Sequence, residues 1–345
     1  MSLQNIQNMT DREVAILTAV IEGYIENGTP ISSSYIEMNC NLNVSSATIR
    51  TEMALLKEKG YLTQLHTSGG RVPTDLGYRF YVNSIKLIRS LDNAVTKDIE
   101  HELLTISNNV DELLNATALM LARVSHMFSV VTISGYQQSI LTDIELVSIQ
   151  GDRVMLVLAM DTGIVKSIVL NLDIIIDSKL IKKTTQLLKD RLVGLCLKEI
   201  QNSIVHRLQD TEIFTHELVQ VLVNERAQYF TIDSNKSIYT SSSDVLLIQP
   251  EFQDLSCFQR LLPALDKKFL NKYFKDNFTF HSEPTLIGKE NGDARLNECA
   301  IITTHFESGT IKGRIGVLGP KRISYMSMHS ILHKFTEIIQ SAIQR

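Results

Sequence analysis

Residues 44–75 read VSSATIRTEMALLKEKGYLTQLHTSGGRVPTD. Ser45 or Ser46 offers a side-chain oxygen that can satisfy the free N–H groups of a helix start. A helical period then runs to about Gly60. At about 100° per residue, Ile49, Met53 and Leu56 fall on one side and should face a core. Ala47, Thr51 and Ala54 fall on the other, with Arg50 beside them; small residues there allow close approach to another surface. Leu55 fits neither face. Tyr61 to Leu65 and Arg71 to Pro73 then read as two short strands around a polar tip, His66 to Gly70. Gly69 and Gly70 permit a sharp turn or a close approach of backbone to an anion.

The flanks extend the pattern. Thr10-Asp11-Arg12-Glu13 is a capping box, and Val14, Leu17, Ile21 and Ile25 give the helix behind it an apolar face. Gly28 and Pro30 stop that helix. Ser32 to Ser34 can cap a short second helix to about Asn39, and a turn leads to Val44. Downstream, Thr74 caps a helix with Leu76, Phe80, Ile85 and Ile88, whose aromatics Tyr78, Phe80 and Tyr81 are expected in a core. Helix, turn, helix, ribbon is the winged-helix arrangement. The DNA major groove admits one helix, whose N-terminal residues reach base edges. The candidate readers are therefore Ser45, Ser46, Ala47, Thr48, Arg50 and Thr51. The candidate wing is His66, Thr67, Ser68, Gly69, Gly70 and Arg71, where an arginine suits the phosphate backbone or a narrow minor groove. The plainer alternative is a capped, solvent-facing helix followed by a tight turn.

Charge placement fits the first reading without excluding a solvated face. The 345-residue chain carries a net charge of −4, which excludes a uniformly basic coat. Ser45 to Arg89 nevertheless sums to +4, and Met1 to Val44 to −4. A local basic patch is the footprint of an anion-binding face. The length suits two or three domains, and 44% hydrophobic residues can fill their cores. Four cysteines lie far apart without a C-x-x-C pair, so neither a disulfide framework nor a zinc knuckle is expected. No signal pattern or membrane-length apolar run occurs; a cytoplasmic protein without a membrane partner is expected.

Beyond an amphipathic stretch at about Asn93 to Val124, four apolar strands are expected at Phe128–Ser134, Ile144–Ile149, Arg153–Ala159 and Gly163–Leu170. Gly151-Asp152 and Asp161-Thr162-Gly163 serve as hairpin turns. Two late strands, Cys299–Phe306 and Ile311–Leu318, are joined by Glu307-Ser308-Gly309-Thr310, and a last helix starts near Ser324. These six strands are expected to share one sheet, interrupted by a helix-rich segment with helices at Lys179–Leu192, Leu195–Leu208 and Glu212–Gln228. Leu187, Leu188, Leu192 and Leu195 give that segment an apolar surplus suited to a subunit contact. His329 and His333 have helical metal-ligand spacing, yet no intervening Glu and no third ligand accompany them. No G-x-S-x-G elbow occurs, and GKENGDARLNE at 288–298 lacks a P-loop pattern. Gly319-Pro320-Lys321-Arg322 is a basic turn that could hold an anion or merely expose charge. No catalytic set, metal or cofactor is expected, so the chain is not read as an enzyme.

VSSATIR, HTSGGRVPTDLGYRFYV and the distant IGVLGPKRISY resemble the HrcA family of heat-inducible transcription repressors, over essentially the whole chain. The resemblance implies an α+β chain with an N-terminal winged helix-turn-helix at 1–89. It implies a discontinuous GAF-like α/β domain at 90–170 and 252–345, and an inserted helix-rich dimerising domain at 171–251. It further implies a homodimer on a double-stranded inverted-repeat operator of the CIRCE type, upstream of chaperone operons, with the GroE chaperonin promoting the active state. The sequence departs from the family pattern. Thr51 replaces the usual Asn, Gly69 an Ala and Leu65 a Pro; Ser32 and Ser34 replace a Gly and an Arg. Lys321, Ile323 and Ser324 replace Thr, Met and Asp. The competing reading is a regulator whose GAF-like domain senses a small molecule; a fold alone does not establish a ligand.

Overall fold

A computed structural model describes residues 9–42, 44–65, 69–85, 99–103, 106, 110–134, 138–149, 152–231, 237–278, 284–308 and 311–343. The N-terminal unit begins with α1 (Asp11–Asn27), whose capping box forms as the sequence predicts. Thr10 accepts from the Glu13 N–H, and the Glu13 carboxylate accepts from the Thr10 N–H. Gly28, at φ 67°, closes the helix in the left-handed region, where a Cβ would be strained. Then come α2 (Ser33–Asn39), capped by Ser32, and α3 (Ser46–Glu58), capped by Ser45. A two-stranded antiparallel ribbon, β1 (Leu62–Thr63) with β2 (Val72–Pro73), precedes α4 (Asp75–Ser84), capped by Thr74. Ile16, Leu17, Val20 and Ile21 of α1 share one buried cluster with Ile36, Ile49, Met53 and Leu56. Tyr78 and Tyr81 are buried there too, and Phe80 packs against the cluster with its ring edge-on to Tyr61. Ile88 and the basic residues Lys86 and Arg89 lie outside the described residues.

Of the expected stretch 93–124, residues 99–103 are helical and α5 spans Val110–Ser125; 93–98, 104–105 and 107–109 lie outside the described residues. Beyond it, β3 (Phe128–Ser134), β9 (Cys299–Ser308) and β10 (Ile311–Pro320) form the centre of a five-stranded antiparallel sheet. Its order is β7 (Ile238–Thr240), β3, β10, β9, β8 (Thr285–Ile287). The strands alternate between two cores. Val131, Ile133, Ile302, Ile315 and Val317 face the cluster that includes α5 and the last helix, α12 (Tyr325–Ile343). Phe128, Val130, Ile301 and Leu318 face a second cluster with Phe252, Leu261, Leu270 and Phe274.

The expectation of one six-stranded sheet is overturned. The strands β4 (Leu141–Ser148), β5 (Arg153–Met160) and β6 (Val165–Asn171) form a separate antiparallel meander. They are one-sided: Ile144, Leu146, Val154, Leu156, Leu158 and Leu170 are buried, while Val147, Val165 and Val169 on the opposite face are exposed. One wet face is the ordinary condition of an antiparallel meander, whereas the five-stranded sheet is covered on both faces. The buried face shares a core with α6 (Ser178–Leu192), α7 (Leu197–Leu208) and α8 (Glu217–Asn224), which is followed by the single turn α9 (Arg226–Tyr229). The interruption of the large sheet therefore runs from the end of β3 to the start of β7, not from 171 to 251. Its ends meet, because Thr132 pairs with Ile238. Leu188 and Leu192 are fully buried in its own core, and Leu187 and Leu195 pack against it. The apolar surplus sits instead on the outer valines of the meander. The second core takes α10 (Leu255–Leu261) and α11 (Lys267–Asn277) from a stretch in which the sequence marks no element.

Candidate nucleic-acid interface

The helix α3 divides as its period demands. Ile49, Met53 and Leu56 are buried against α1 and α2, while Ala47, Arg50, Thr51, Ala54 and Leu55 are exposed. Arg50 projects from the second turn with no hydrogen bond or ion pair among the described residues. The polar start of the helix has mixed duties. Ser45 Oγ lies 3.4 Å from the Thr48 N–H that it caps and 3.1 Å from Thr48 Oγ1. Ser46 Oγ donates to Ser33 Oγ at 2.9 Å, and the Ser46 N–H donates to Glu37 Oε1 at 3.0 Å. Ser46 thus pins α3 to α2 and sets where the first turn begins. Glu37, which no sequence pattern marked, puts a carboxylate at the positive end of α3. Thr51 returns its hydroxyl to the Ala47 carbonyl at 3.2 Å, a bond within the helix.

Of the wing candidates, His66, Thr67 and Ser68 lie outside the described residues. Gly69, Gly70 and Arg71 are half-buried at the root. Arg71 exchanges both backbone hydrogen bonds with Ile31, at 2.8 and 2.9 Å, which ties the ribbon to the turn between α1 and α2. A Cβ on Gly70 would fall 2.5 Å from the Ile31 carbonyl oxygen. That glycine is therefore required by backbone packing inside the unit, whatever the tip touches. Arg71 Nη1 reaches the Gly69 carbonyl at 3.4 Å, and its Nε is buried without a partner among the described residues.

Behind α3, the Lys59 ammonium binds the Glu13 carboxylate, which is 3% exposed. That bond, with the Thr10 N–H, holds the Glu13 pKa below its usual value against the effect of burial. Lys59 is thereby committed to the fold, and Arg50 and Lys57 are the basic groups that α3 itself carries into solvent.

The other sequence candidates dissolve. His329 is buried, its Nε2 3.1 Å from Thr285 Oγ1, and among the described residues no cluster of His, Cys, Asp or Glu could hold a metal ion. The basic turn Lys321-Arg322 neither presents an anion site nor exposes free charge. Lys321 contacts Asp75 and Glu298, and Arg322 contacts Glu251 and the Ile25 carbonyl. No helix among the described residues is long and apolar enough to cross a membrane.

A family model described as "HrcA protein C terminal domain" matches residues 111–328. A "Heat-inducible transcription repressor HrcA" of Chlorobium chlorochromatii is 31% identical over 343 residues, covering 98% of each chain. This chain belongs to the HrcA family. A repressor of the same name from Caldanaerobacter subterraneus is 32% identical over 349 residues, covering 97% of each chain, and one from Chlorobium phaeobacteroides strain BS1 is 33% identical over 332. A crystal structure described as that of a hypothetical protein superimposes with a TM-score of 0.69 at 20% identity, covering 98% of this chain and 99% of the other. It supports the fold alone. Membership in a family of repressors agrees with a chain in which the residues point to no catalytic set.

Proposed function

We propose that the chain is a heat-shock repressor that reads an inverted-repeat operator through a winged-helix head, residues 1–89, with α3 as the recognition helix. The observation that carries this reading is the division of α3: a fully buried apolar stripe, and opposite it a face of small residues with one unencumbered arginine. Phosphate contacts would supply most of the affinity and base contacts the choice of sequence. In this reading Ser45 and Ser46 act mainly by fixing the first turn, while Ala47, Thr48, Arg50 and Thr51 face the bases. Gly69, Gly70 and Arg71 support a tip formed by His66, Thr67 and Ser68.

The five-stranded sheet with α5 and α12 is read as the GAF-like domain, and the β4–β6 meander with its helices as the inserted dimerising domain. Val147, Val165 and Val169, exposed at 44%, 59% and 48%, support the second assignment. Val147 and Val169 flank Met155 in one cross-strand row. An apolar sheet face of this kind suits burial against a second copy, and a two-fold pair would match a palindrome.

The topology also supports dependence on the GroE chaperonin. β3 pairs with β10 across more than 170 residues, for example Val131 with Ile315. Until that pairing forms, two apolar strands are exposed to aggregation. The test is the fraction able to bind an inverted-repeat duplex after refolding without chaperonin, with it, and with it plus excess unfolded client. The reading predicts a low, a high and a low fraction. Equal fractions in all three remove the chaperonin from the account. Failure to prefer the repeat over random duplex in any arm removes DNA reading itself.

A further inference from the structure

Charges whose partners no local pattern announces hold the N-terminal unit to the sheet body. Asp75, the first residue of α4, receives the Lys321 ammonium on one oxygen at 3.1 Å and the Lys289 backbone N–H on the other, also at 3.1 Å. Lys321 reaches Glu298 at 3.1 Å as well. A Cβ on Gly288 would fall 2.2 Å from Asp75 Oδ2, so the carboxylate lies directly against the backbone of the body. On one side Arg79 binds Glu290 and the Thr285 carbonyl. On the other Arg322 donates to the Ile25 carbonyl at 2.9 Å and to Glu251 at 2.7 Å. Tyr78 and Tyr81 pack on Tyr325 between these arms, with ring centroids 5.9 and 6.4 Å apart.

We propose that Lys321 is a positioning residue for DNA recognition, an ammonium shared between Asp75 of the head and Glu298 of the body that fixes the angle at which α3 is presented. This rests on the reading of α3 given above. The connection from Lys321 to α3 is short and packed. Asp75 begins α4, Tyr81 of α4 donates to Glu22 of α1 at 3.3 Å, and α1 carries Leu17 and Ile21 into the cluster that holds Ile49 and Met53. Lys321 differs from its neighbours in what its loss leaves behind. Without Glu290, Arg79 keeps the Thr285 carbonyl. Without Lys321, Asp75 keeps only the Lys289 N–H, and its charge and that of Glu298 are left across the joint with no ammonium between them, so attraction becomes repulsion. Lys321→Thr removes the ammonium and keeps a short polar side chain, so it is the variant to make.

The experiment uses the full chain and a set of inverted repeats whose half-sites are separated by spacers that differ by single base pairs. Each added base pair displaces one half-site by about 3.4 Å and turns it by about 34°. Wild type and Lys321→Arg should prefer one spacer by about tenfold over its neighbours, because both hold the angle. Lys321→Thr should spread to within about threefold while its affinity for an isolated half-site is unchanged. Small-angle scattering without DNA should show a larger radius of gyration for Lys321→Thr only. Unchanged spacer preference in Lys321→Thr, or an equal loss on the isolated half-site, overturns the proposal. If wild type fails to prefer any repeat, it is the reading of α3 that falls. A Lys321→Thr scattering curve that superimposes on the wild-type curve overturns the clamp in either case.

Discussion

Replacing Arg50 by Ala removes a side chain that is exposed on α3 and makes no hydrogen bond or ion pair among the described residues. Folding should therefore change by no more than about 0.5 kcal/mol, the usual range for a surface site. Ala is also a good helix former, so α3 itself is not weakened. Binding should change more. An arginine that contacts a guanine edge contributes about 1–3 kcal/mol of discrimination, or about 5- to 150-fold in affinity for each half-site. Fluorescence anisotropy against a single half-site, its scrambled version and random duplex measures that factor directly. The same titrations at several salt concentrations separate base from phosphate contact, since loss of one phosphate contact lowers the salt slope by about 0.9. The expected result is a large loss on the half-site, little on random duplex and an unchanged slope. Equal loss on all three duplexes with a lower slope would show that Arg50 only touches phosphate. No loss on any of them would place the DNA on another face.

Arg71→Ala should weaken specific and random duplex alike and flatten the salt dependence, read in the same titrations. Gly70→Ala should lower the melting temperature of the chain, because a Cβ 2.5 Å from the Ile31 carbonyl forces Arg71 and Ile31 apart; a melt equal to wild type would show that the root of the ribbon adapts. Glu13→Gln removes a carboxylate whose folded pKa lies below its ordinary value of 4.5. Its stabilisation is present above the unfolded value and lost as pH falls through the folded one. Urea unfolding should place the variant about 1.5–3 kcal/mol below wild type at pH 7, the range for hydrogen bonds to a charged group, with the gap closing below about pH 4.5. A constant gap across that range would assign the effect to packing. Deleting 135–236 and joining Ser134 to Ser237 by a short turn should leave the five-stranded sheet folded and give a monomer in sedimentation, because β3 and β7 already pair as a hairpin would. A dimer there places the subunit contact elsewhere.

The local features were legible because their causes are local. Thr10, Ser32, Ser45 and Thr74 each cap a helix within three residues of themselves, and the buried stripe Ile49, Met53, Leu56 follows from helical period alone. The division of the strands into two sheets left only a partial trace: LTDIELVS at 141–148 alternates over Ile144-Glu145-Leu146, but its partner RVMLVLAM at 153–160 is as apolar as CAIITTHF at 299–306. Apolar content masks that trace, so all six runs read alike as strands of one sheet. The three-residue strands β7 and β8 are too short to carry a period. The joint between head and body could not be read at all. Asp75 and Lys321 are separated by 245 intervening residues, and ion pairs of that span leave no trace in spacing. Gly70 was half-legible: a glycine was recognisably needed, but its neighbour, the Ile31 carbonyl, belongs to a turn some forty residues upstream.

The most direct test of DNA reading by α3 is an equilibrium titration of the full chain against three duplexes of one length and composition: an inverted repeat, the same repeat with one half-site scrambled, and a random sequence. If two heads present α3 to two half-sites, affinity should fall in that order, by about a factor of a thousand or more from first to last at physiological salt. Arg50→Ala should collapse the spread. Three coincident curves for the wild-type chain would contradict the account.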